Sequence, residues 1–380
     1  MESPWILVIC HEFPPLGGGA GKNLFLLCRE LSRRGLRLRV LTGDPGAAKR
    51  WNFDFPVEYL GTGRRRRFET SLRGLFIFAV RAALKGCPIL GGGLPRDQGP
   101  PALVLSGLGI PAGLAGTYVS RRLRVPHAVW YHGSDVHGGR PGGPGRLQRA
   151  LYRWVSRGAA HNFYISSGLR DLARTLAPTR NTSLLPSCPS PEIRAAAEAA
   201  PALASSGTDR YLLYLGRLEE VKNPILLVRA VAVLKARGRP FPRLRMVGGG
   251  GLRDIVKAEL RKLSLASHAT LEPAAAFEQV PELFRGAYAL IVPSRAEGFN
   301  TTILEAALFG VPTVGADTLG IRDFVMHGRT GLLFSGDDAD ALADALAALV
   351  ADPVLRDALG EAARAAATPY RAERVAEDFL

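Results

Sequence analysis

The sequence predicts an α/β protein made of two successive doubly wound domains facing each other across a cleft. Three observations lead there. A chain of 380 residues with 47% hydrophobic content is too large for one ordinary core and suits two domains of roughly 150 to 200 residues. The opening residues read as a β-α-β unit, and the same alternation of strand and helix restarts near residue 210, behind a segment rich in Ala, Ser and Pro.

The run WILVIC (5–10) has the length and continuous apolar character of a buried strand, and a Pro/Gly turn, HEFPPLGGGAG (11–21), follows it. Leu24, Leu27, Cys28 and Leu31 then recur at i, i+3, i+4 and i+7, the spacing of one helix face. Gly35 ends that helix, and LRLRVLT (36–42) alternates as a strand should, so the first two strands are parallel. Further strands are predicted at ALVLS (102–106), HAVWYHG (127–133) and HNFYIS (161–166), with helices at 147–156 and 168–176. The stretch PSPEIRAAAEAAPALASSGTD (189–209) shows no strong apolar period and reads as a linker.

Beyond it, strands YLLYLG (211–216), RLRMVGG (243–249), YALIVPS (288–294) and VPTVGA (311–316) alternate with helices around 223–237, 252–264 and 301–309, before an Ala-rich helical end. Expected boundaries are therefore 1–188 for the first domain and 210–365 for the second, with a C-terminal helix, about 366–380, joining the first. Ligands of doubly wound sheets bind at the carboxyl ends of the strands.

Charge is distributed unevenly. Residues 1–190 carry 27 Lys/Arg against 10 Asp/Glu, a balance of +17, which leaves 49 − 27 = 22 against 34 − 10 = 24 for residues 191–380, a balance of −2. A basic half suits nucleic acid, an anionic membrane surface or an acidic substrate. The four cysteines (Cys10, Cys28, Cys87, Cys188) stand far apart with no metal-ligand spacing and read as reduced, buried thiols of a cytosolic protein. The run 5–10 is short, follows Glu2 rather than a basic stretch, and predicts a strand rather than a secretion signal. Leu75–Val80, broken by Arg81, falls far short of the ~20 residues of a spanning helix.

The chemistry concentrates after predicted strands. After YALIVPS the chain loops through RAEGFN and enters a helix near Thr301, which would present several free backbone N–H groups to an anion. Glu297 and Glu305, eight positions apart, would offer carboxylates to the vicinal hydroxyls of a sugar and of a ribose. Equally, Thr302-Ile303-Leu304-Glu305 fits the S/T-x-x-E capping box, which would give Glu305 a purely structural task. In GRLEEVKN (216–223), Arg217 and Lys222 could neutralise one diphosphate, although a basic pair beside Glu219 and Glu220 is by itself usually a solvated loop.

The glycine cluster PPLGGGAGK (14–22) lacks the Walker A form, with Leu16 and Asn23 at its key positions, and is either a second phosphate approach or a plain tight turn. YHGSDVHGG (131–139) sets His132, Asp135 and His137 at a strand end; two His and one Asp could bind zinc, but the spacing matches no established pattern.

Together these segments resemble the retaining glycosyltransferases of family four (group 1), and the resemblance runs from Trp5 to about Leu333. The matching pieces, in order, are PPLGGGAGKNLFLLCRELSRRG, HGSD (132–135), GRLEEVKN, EGFNTTILEAALFGVPTV and HGRTGLLF (327–334). The resemblance implies the GT-B fold, two Rossmann-like domains with an interdomain cleft, and a hexosyltransferase using a UDP- or GDP-sugar. It implies that Gly18, Gly19, Arg217, Lys222 and the amides at Phe299, Asn300 and Thr301 meet the diphosphate, with Gly216 in the donor loop. His132 would then touch the transferred sugar, Glu297 its hydroxyls, and Glu305 the ribose. The family generally needs no metal and no other cofactor, so positioning and electrostatics supply the catalysis. The implied acceptor is a glycan or lipid-linked hydroxyl in surface-polysaccharide or glycolipid synthesis.

This chain departs from the family at LLPSCPSPEI (184–193), where an Asn-Gly-Val-Asp turn is usual, at Asn300, where Gly is frequent, and at Leu319-Gly320, where Gly-Gly is common. A sugar-nucleotide epimerase of the same fold is the competing activity. Nucleic-acid binding has only the charge in its favour, with no accompanying motif, and is not expected. Arg64 to Arg67 followed by SLRGLFIFAVRAALKG (71–86) instead predict an interfacial helix on anionic lipid, with a core helix flanked by solvated arginines as the equal alternative.

Overall fold

The computed structural model describes residues 4–16, 18–46, 50–61, 71–87, 99–138, 143–199 and 210–380. The Arg64 to Arg67 run and the end of the expected linker, 200–209, lie outside them. Contacts divide the chain into two units, Met1–Ser187 with Ala372–Leu380, and Cys188–Arg371.

In the first unit, β1 (Trp5–Cys10) is buried along its whole length. A strand with neighbours on both sides and helices on both faces has no solvent face, which is why its sequence is continuously apolar. It pairs in parallel with β2 (Arg37–Gly43) and β4 (Leu103–Gly107), Trp5 opposite Arg37 and Ile6 opposite Leu103. With β3 (Val57–Leu60), β5 (His127–Tyr131), β6 (His161–Tyr164) and β7 (Thr182–Leu184), the order is β3-β2-β1-β4-β5-β6-β7.

Helix α1 (Gly19–Arg33) joins β1 to β2 and buries Leu24, Leu27, Cys28 and Leu31, the face its periodicity predicts. α2 (Leu72–Lys85), α3 (Leu114–Leu123), α5 (Arg146–Gly158) and α6 (Ser167–Leu176) make the later crossovers, with a single turn α4 (Ser134–His137) after β5. α14 (Ala372–Phe379) packs on α1; Arg34 donates to the carbonyl of Glu373 at 3.0 Å, and Phe379 meets Phe163 at 5.4 Å.

The second unit has six parallel strands, β8 (Tyr211–Leu215), β9 (Leu244–Val247), β10 (Ala269–Glu272), β11 (Ala287–Val292), β12 (Thr313–Ala316) and β13 (Gly331–Phe334), in the order β10-β9-β8-β11-β12-β13. Helices α8 (Pro224–Ala236), α9 (Arg253–Lys262), α10 (Val280–Arg285), α11 (Thr301–Leu308), α12 (Ala339–Ala351) and α13 (Pro353–Ala367) complete it.

Two differences from the sequence reading have physical causes. The four strands that periodicity did not reveal, β3, β7, β10 and β13, are the four edge strands of the two sheets. Each has three or four residues, and three of them are half-exposed along much of their length, so they lack the apolar run that marks a central strand. The segment expected as linker opens instead with helix α7 (Pro191–Glu198), capped by the Ser190 hydroxyl accepting from the Ile193 amide, with Pro191 in its first turn. Only Ile193 and Ala197 of α7 are buried, too few to show a period, yet they anchor it in the core of the second unit. Among the described residues, no helix is long and apolar enough to cross a membrane.

Candidate functional site

In the second sheet, chain progress reverses direction between β8 and β11, which lie side by side. Loops leaving the carboxyl ends of two such strands splay to opposite faces and open a crevice, the usual ligand position in this topology. The loop after β8 is 216–223, and the loop after β11 is 293–300, the two segments singled out by their charged residues.

Backbone contacts hold both loops. The Leu218 amide donates to the Gly249 carbonyl at 2.8 Å, and the Leu252 amide to the Leu218 carbonyl at 2.9 Å. That close approach requires glycine after β9, because a Cβ on Gly248 would sit 1.9 Å from the Gly216 carbonyl oxygen. The Arg295 amide donates to the Val221 carbonyl at 2.9 Å, and its guanidinium spans the Glu220 carbonyl and the Asp337 carboxylate at 2.7 to 3.0 Å. Asn223 donates to the same Asp337. Gly320 backs the second loop: a Cβ there would lie 2.5 Å from the Glu297 carbonyl oxygen.

Within this frame the Lys222 ammonium lies 2.7 Å from one carboxylate oxygen of Glu297 and 2.8 Å from the other. The Asn300 amide donates to Glu297 at 3.0 Å. Glu297 is only 7% exposed, so three hydrogen bonds offset the cost of desolvating its charge. Arg217 stays half-exposed and pairs with Glu219 at 2.7 Å, while its carbonyl accepts from the Tyr214 hydroxyl. Burial, with the Glu297 charge adding to it, pushes the Tyr214 phenol well above its ordinary range, so it remains a neutral donor.

The helix start differs from the capping-box expectation. Asn300, not Thr302, caps α11, its side-chain oxygen accepting from the Thr302 amide at 3.0 Å while its nitrogen holds Glu297. Glu305 is then the fifth helical residue rather than the third, too far along to close a capping box. It is buried at 6% exposure in a helix whose neighbouring residues are apolar core. Phe299 is half-buried, and its ring lies tilted by 32° against that of Tyr370, with centroids 5.9 Å apart.

In the first unit, the glycine cluster after β1 separates into two kinds. A Cβ on Gly21 would fall 1.7 Å from the Glu12 carbonyl oxygen, so Gly21 serves the packing of α1. A Cβ on Gly18 or Gly19 would meet nothing within 4 Å, so the protein itself does not demand glycine there. Gly18 is the N-cap of α1, which has no acidic residue in its first turn and no side-chain cap.

Asp135 does not join His132 and His137 in a ligand set. Its buried carboxylate accepts from the Gly109 amide at 2.8 Å and the Gly133 amide at 3.0 Å, tying the loop after β4 to the loop after β5. Burial nonetheless raises its pKa. Among the described residues, no group of three His, Cys, Asp or Glu side chains could hold a metal ion. Both ring nitrogens of His132 are shut from solvent and lack hydrogen-bond partners, and the ring lies 4.5 Å from that of Trp130. Burial lowers its pKa to about 3, against the opposing charge of Glu12, so the imidazole is neutral. His127 is likewise held down to about 3 by burial, but it is satisfied by Ser106 at 2.9 Å and plays a structural part.

The sequence reading missed Asn223, Gly248, Arg295, Gly320 and Asp337. The first four lie in or beside segments already singled out, whereas Asp337 follows β13 and carries no local signal.

Two family models match the chain: a glycosyl transferase 4-like domain over residues 18–187, and glycosyl transferases group 1 over residues 196–366. A D-inositol 3-phosphate glycosyltransferase of Pseudarthrobacter chlorophenolicus is 37% identical over 157 residues, which covers 40% of this chain and 37% of that protein. The homonymous protein of Rhodococcus erythropolis is 33% identical over 188 residues, 47% of this chain and 42% of its own length. The chain thus spans about two fifths of the curated relatives it matches.

Among solved structures, a sucrose-phosphate synthase of Thermosynechococcus elongatus superposes with a TM-score of 0.78 at 20% identity, covering 99% of this chain and 97% of that one. HepE of Anabaena, solved with UDP and glucose, gives 0.73 at 18% identity, covering 99% and 98%. Two Rossmann-like units matching such chains make the fold GT-B. Both halves being matched in order, the chain belongs to the group 1 glycosyltransferases, its first half of the glycosyltransferase 4-like type.

Proposed function

We propose that the protein is a retaining glycosyltransferase that moves a hexose from a UDP- or GDP-sugar to a hydroxyl of a glycan or lipid-linked acceptor, in cell-surface polysaccharide or glycolipid synthesis. The observation that carries the reading is the Lys222–Glu297 pair at the carboxyl ends of β8 and β11. A lysine has three donors, and contact with Glu297 leaves capacity for a phosphate oxygen; the carboxylate retains lone pairs for sugar hydroxyls. Arg217 can swing from Glu219 to the same diphosphate, because that exposed pair holds it weakly. The amides of Phe299 to Thr301 and the positive end of α11 receive the phosphates, and Glu305 the ribose.

In the first unit, the amides of Gly18 and Gly19 and the neutral imidazole of His132 are the donor-binding groups that the family resemblance implies. The donor's leaving charge is stabilised by these fixed groups, and the reaction needs no metal or other cofactor. UDP and glucose bound by HepE support a nucleotide-sugar donor; the relatives' names point to hydroxyl acceptors but do not choose this chain's own. Buried Cys10, Cys28, Cys87 and Cys188 suit a reducing cytoplasm, with peripheral attachment to the inner membrane face.

A thermal-shift screen against UDP, GDP and ADP tests the site, since binding stabilises by RT ln(1 + [L]/Kd). The shift is expected for one base and lost in Lys222→Ala and Glu305→Ala with folding intact; its retention in both overturns the assignment. Unchanged transfer in EDTA checks metal independence. Conversion of the donor to another free nucleotide sugar without acceptor would favour the epimerase reading instead.

A further inference from the structure

Three crossovers of the first unit, β3 to β4, β4 to β5 and β5 to β6, advance across the sheet in one direction. Right-handed connections therefore lay α2, α3 and α5 side by side on one face, where α2 packs on α3 and α3 on α5.

The outer surface of this layer is apolar as well as basic. α2 buries Gly74, Phe78 and Ala82 against the unit, and two residues out of step with them it exposes Leu72 (86%), Phe76 (69%), Val80 and Leu84. Each set repeats every four residues, so the helix carries two opposite apolar stripes, one of them facing water. α5 exposes Leu147 (73%) and Trp154 (42%), and the Arg121 guanidinium of α3 stacks over the Trp154 ring at 5.2 Å. No Asp or Glu occurs in α2, α3 or α5. Among the described residues, no carboxylate pairs with Arg121, Arg153 or Arg157, which line one shallow depression with Trp154.

We propose that the α2–α3–α5 face docks on an anionic phospholipid bilayer. Its arginines meet lipid phosphates while Leu72, Phe76, Leu147 and Trp154 enter the headgroup boundary. Nucleic acid would match the charge but leaves exposed leucines no apolar partner, and an identical copy of this face would bring arginine against arginine. This surface makes the membrane attachment included in the functional reading concrete, but it lies in the first unit and does not depend on donor binding.

The test is flotation of the full chain with vesicles of phosphatidylcholine alone or mixed with phosphatidylglycerol. Flotation is expected only with the anionic vesicles and should fall with salt. Arg153→Ala with Arg157→Ala should weaken partitioning roughly 25-fold, about fivefold per arginine, and Leu72→Ser with Phe76→Ser should abolish it. A blue shift of tryptophan emission on vesicles should disappear in Trp154→Phe. Flotation with neither vesicle, or equally with both, overturns the proposal. So does duplex RNA or DNA binding at physiological salt without flotation, or a dimer dissolved by Leu72→Ser with Phe76→Ser. The nucleotide thermal shift, run on each variant, should persist; its absence in the unaltered protein would count against the donor site and leave the docking result standing.

Discussion

Lys222 and Glu297 stand 75 positions apart in sequence, and the ammonium of one meets both carboxylate oxygens of the other. The pair unites the loops after β8 and β11, so neither residue is replaceable independently. Lys222→Ala leaves a buried carboxylate held by the Asn300 amide and should cost roughly 1 to 3 kcal/mol. The double variant Lys222→Ala/Glu297→Ala should be less unstable than the sum of the two single ones, measured by urea unfolding; additive losses would mean the pair is not coupled.

The glycine cluster after β1 should respond position by position. Gly21→Ala forces a methyl onto the Glu12 carbonyl and should destabilise by about 1 to 3 kcal/mol or more. Gly18→Ala meets open space, should leave the melting temperature nearly unchanged, and should weaken nucleotide-sugar binding. Calorimetric melting with and without donor separates the two effects.

At the start of α11, Asn300→Ala should cost about 1 kcal/mol as a lost cap and also loosen Glu297. Thr302→Ala should be close to neutral, since its hydroxyl is not the cap. Equal losses from both substitutions would restore the capping-box reading.

Buried His132 and His127 give stability a definite pH dependence. Both are held near a pKa of about 3 in the fold, whereas an unfolded histidine titrates near about 6.5. Between those values the unfolded chain binds protons that the folded one refuses, so stability rises with pH and is lost as pH falls below about 6.5. Each histidine contributes about 1.4 kcal/mol per pH unit well inside that window. His132→Asn should reduce the slope of unfolding free energy between about pH 6 and 4 by one proton; an unchanged slope would show that His132 is not buried neutral.

Much of this architecture is written locally. Trp5–Cys10, Tyr211–Leu215 and Ala287–Val292 are central strands and show as apolar runs, and the face of α1 follows from Leu24, Leu27, Cys28 and Leu31. Edge strands such as Thr182–Leu184 bury little and leave no such trace. Lys222 and Glu297 could be placed near one another for the same reason, because each follows a central strand that fixes its position. Asp337 could not, since its tie to Arg295 and Asn223 exists only once β13 is laid beside β12. Asp135 stayed open between a metal ligand and a structural residue, because sequence shows a carboxylate but not the two backbone amides that occupy it.

Helix α14 belongs to the unit that α1 opened. On the ribosome, that helix is made after the whole of the second unit. Until then the side of α1 that receives α14 has no cover, and the first unit stays incomplete while the second is being made. The first unit is therefore closed only after the second has been made.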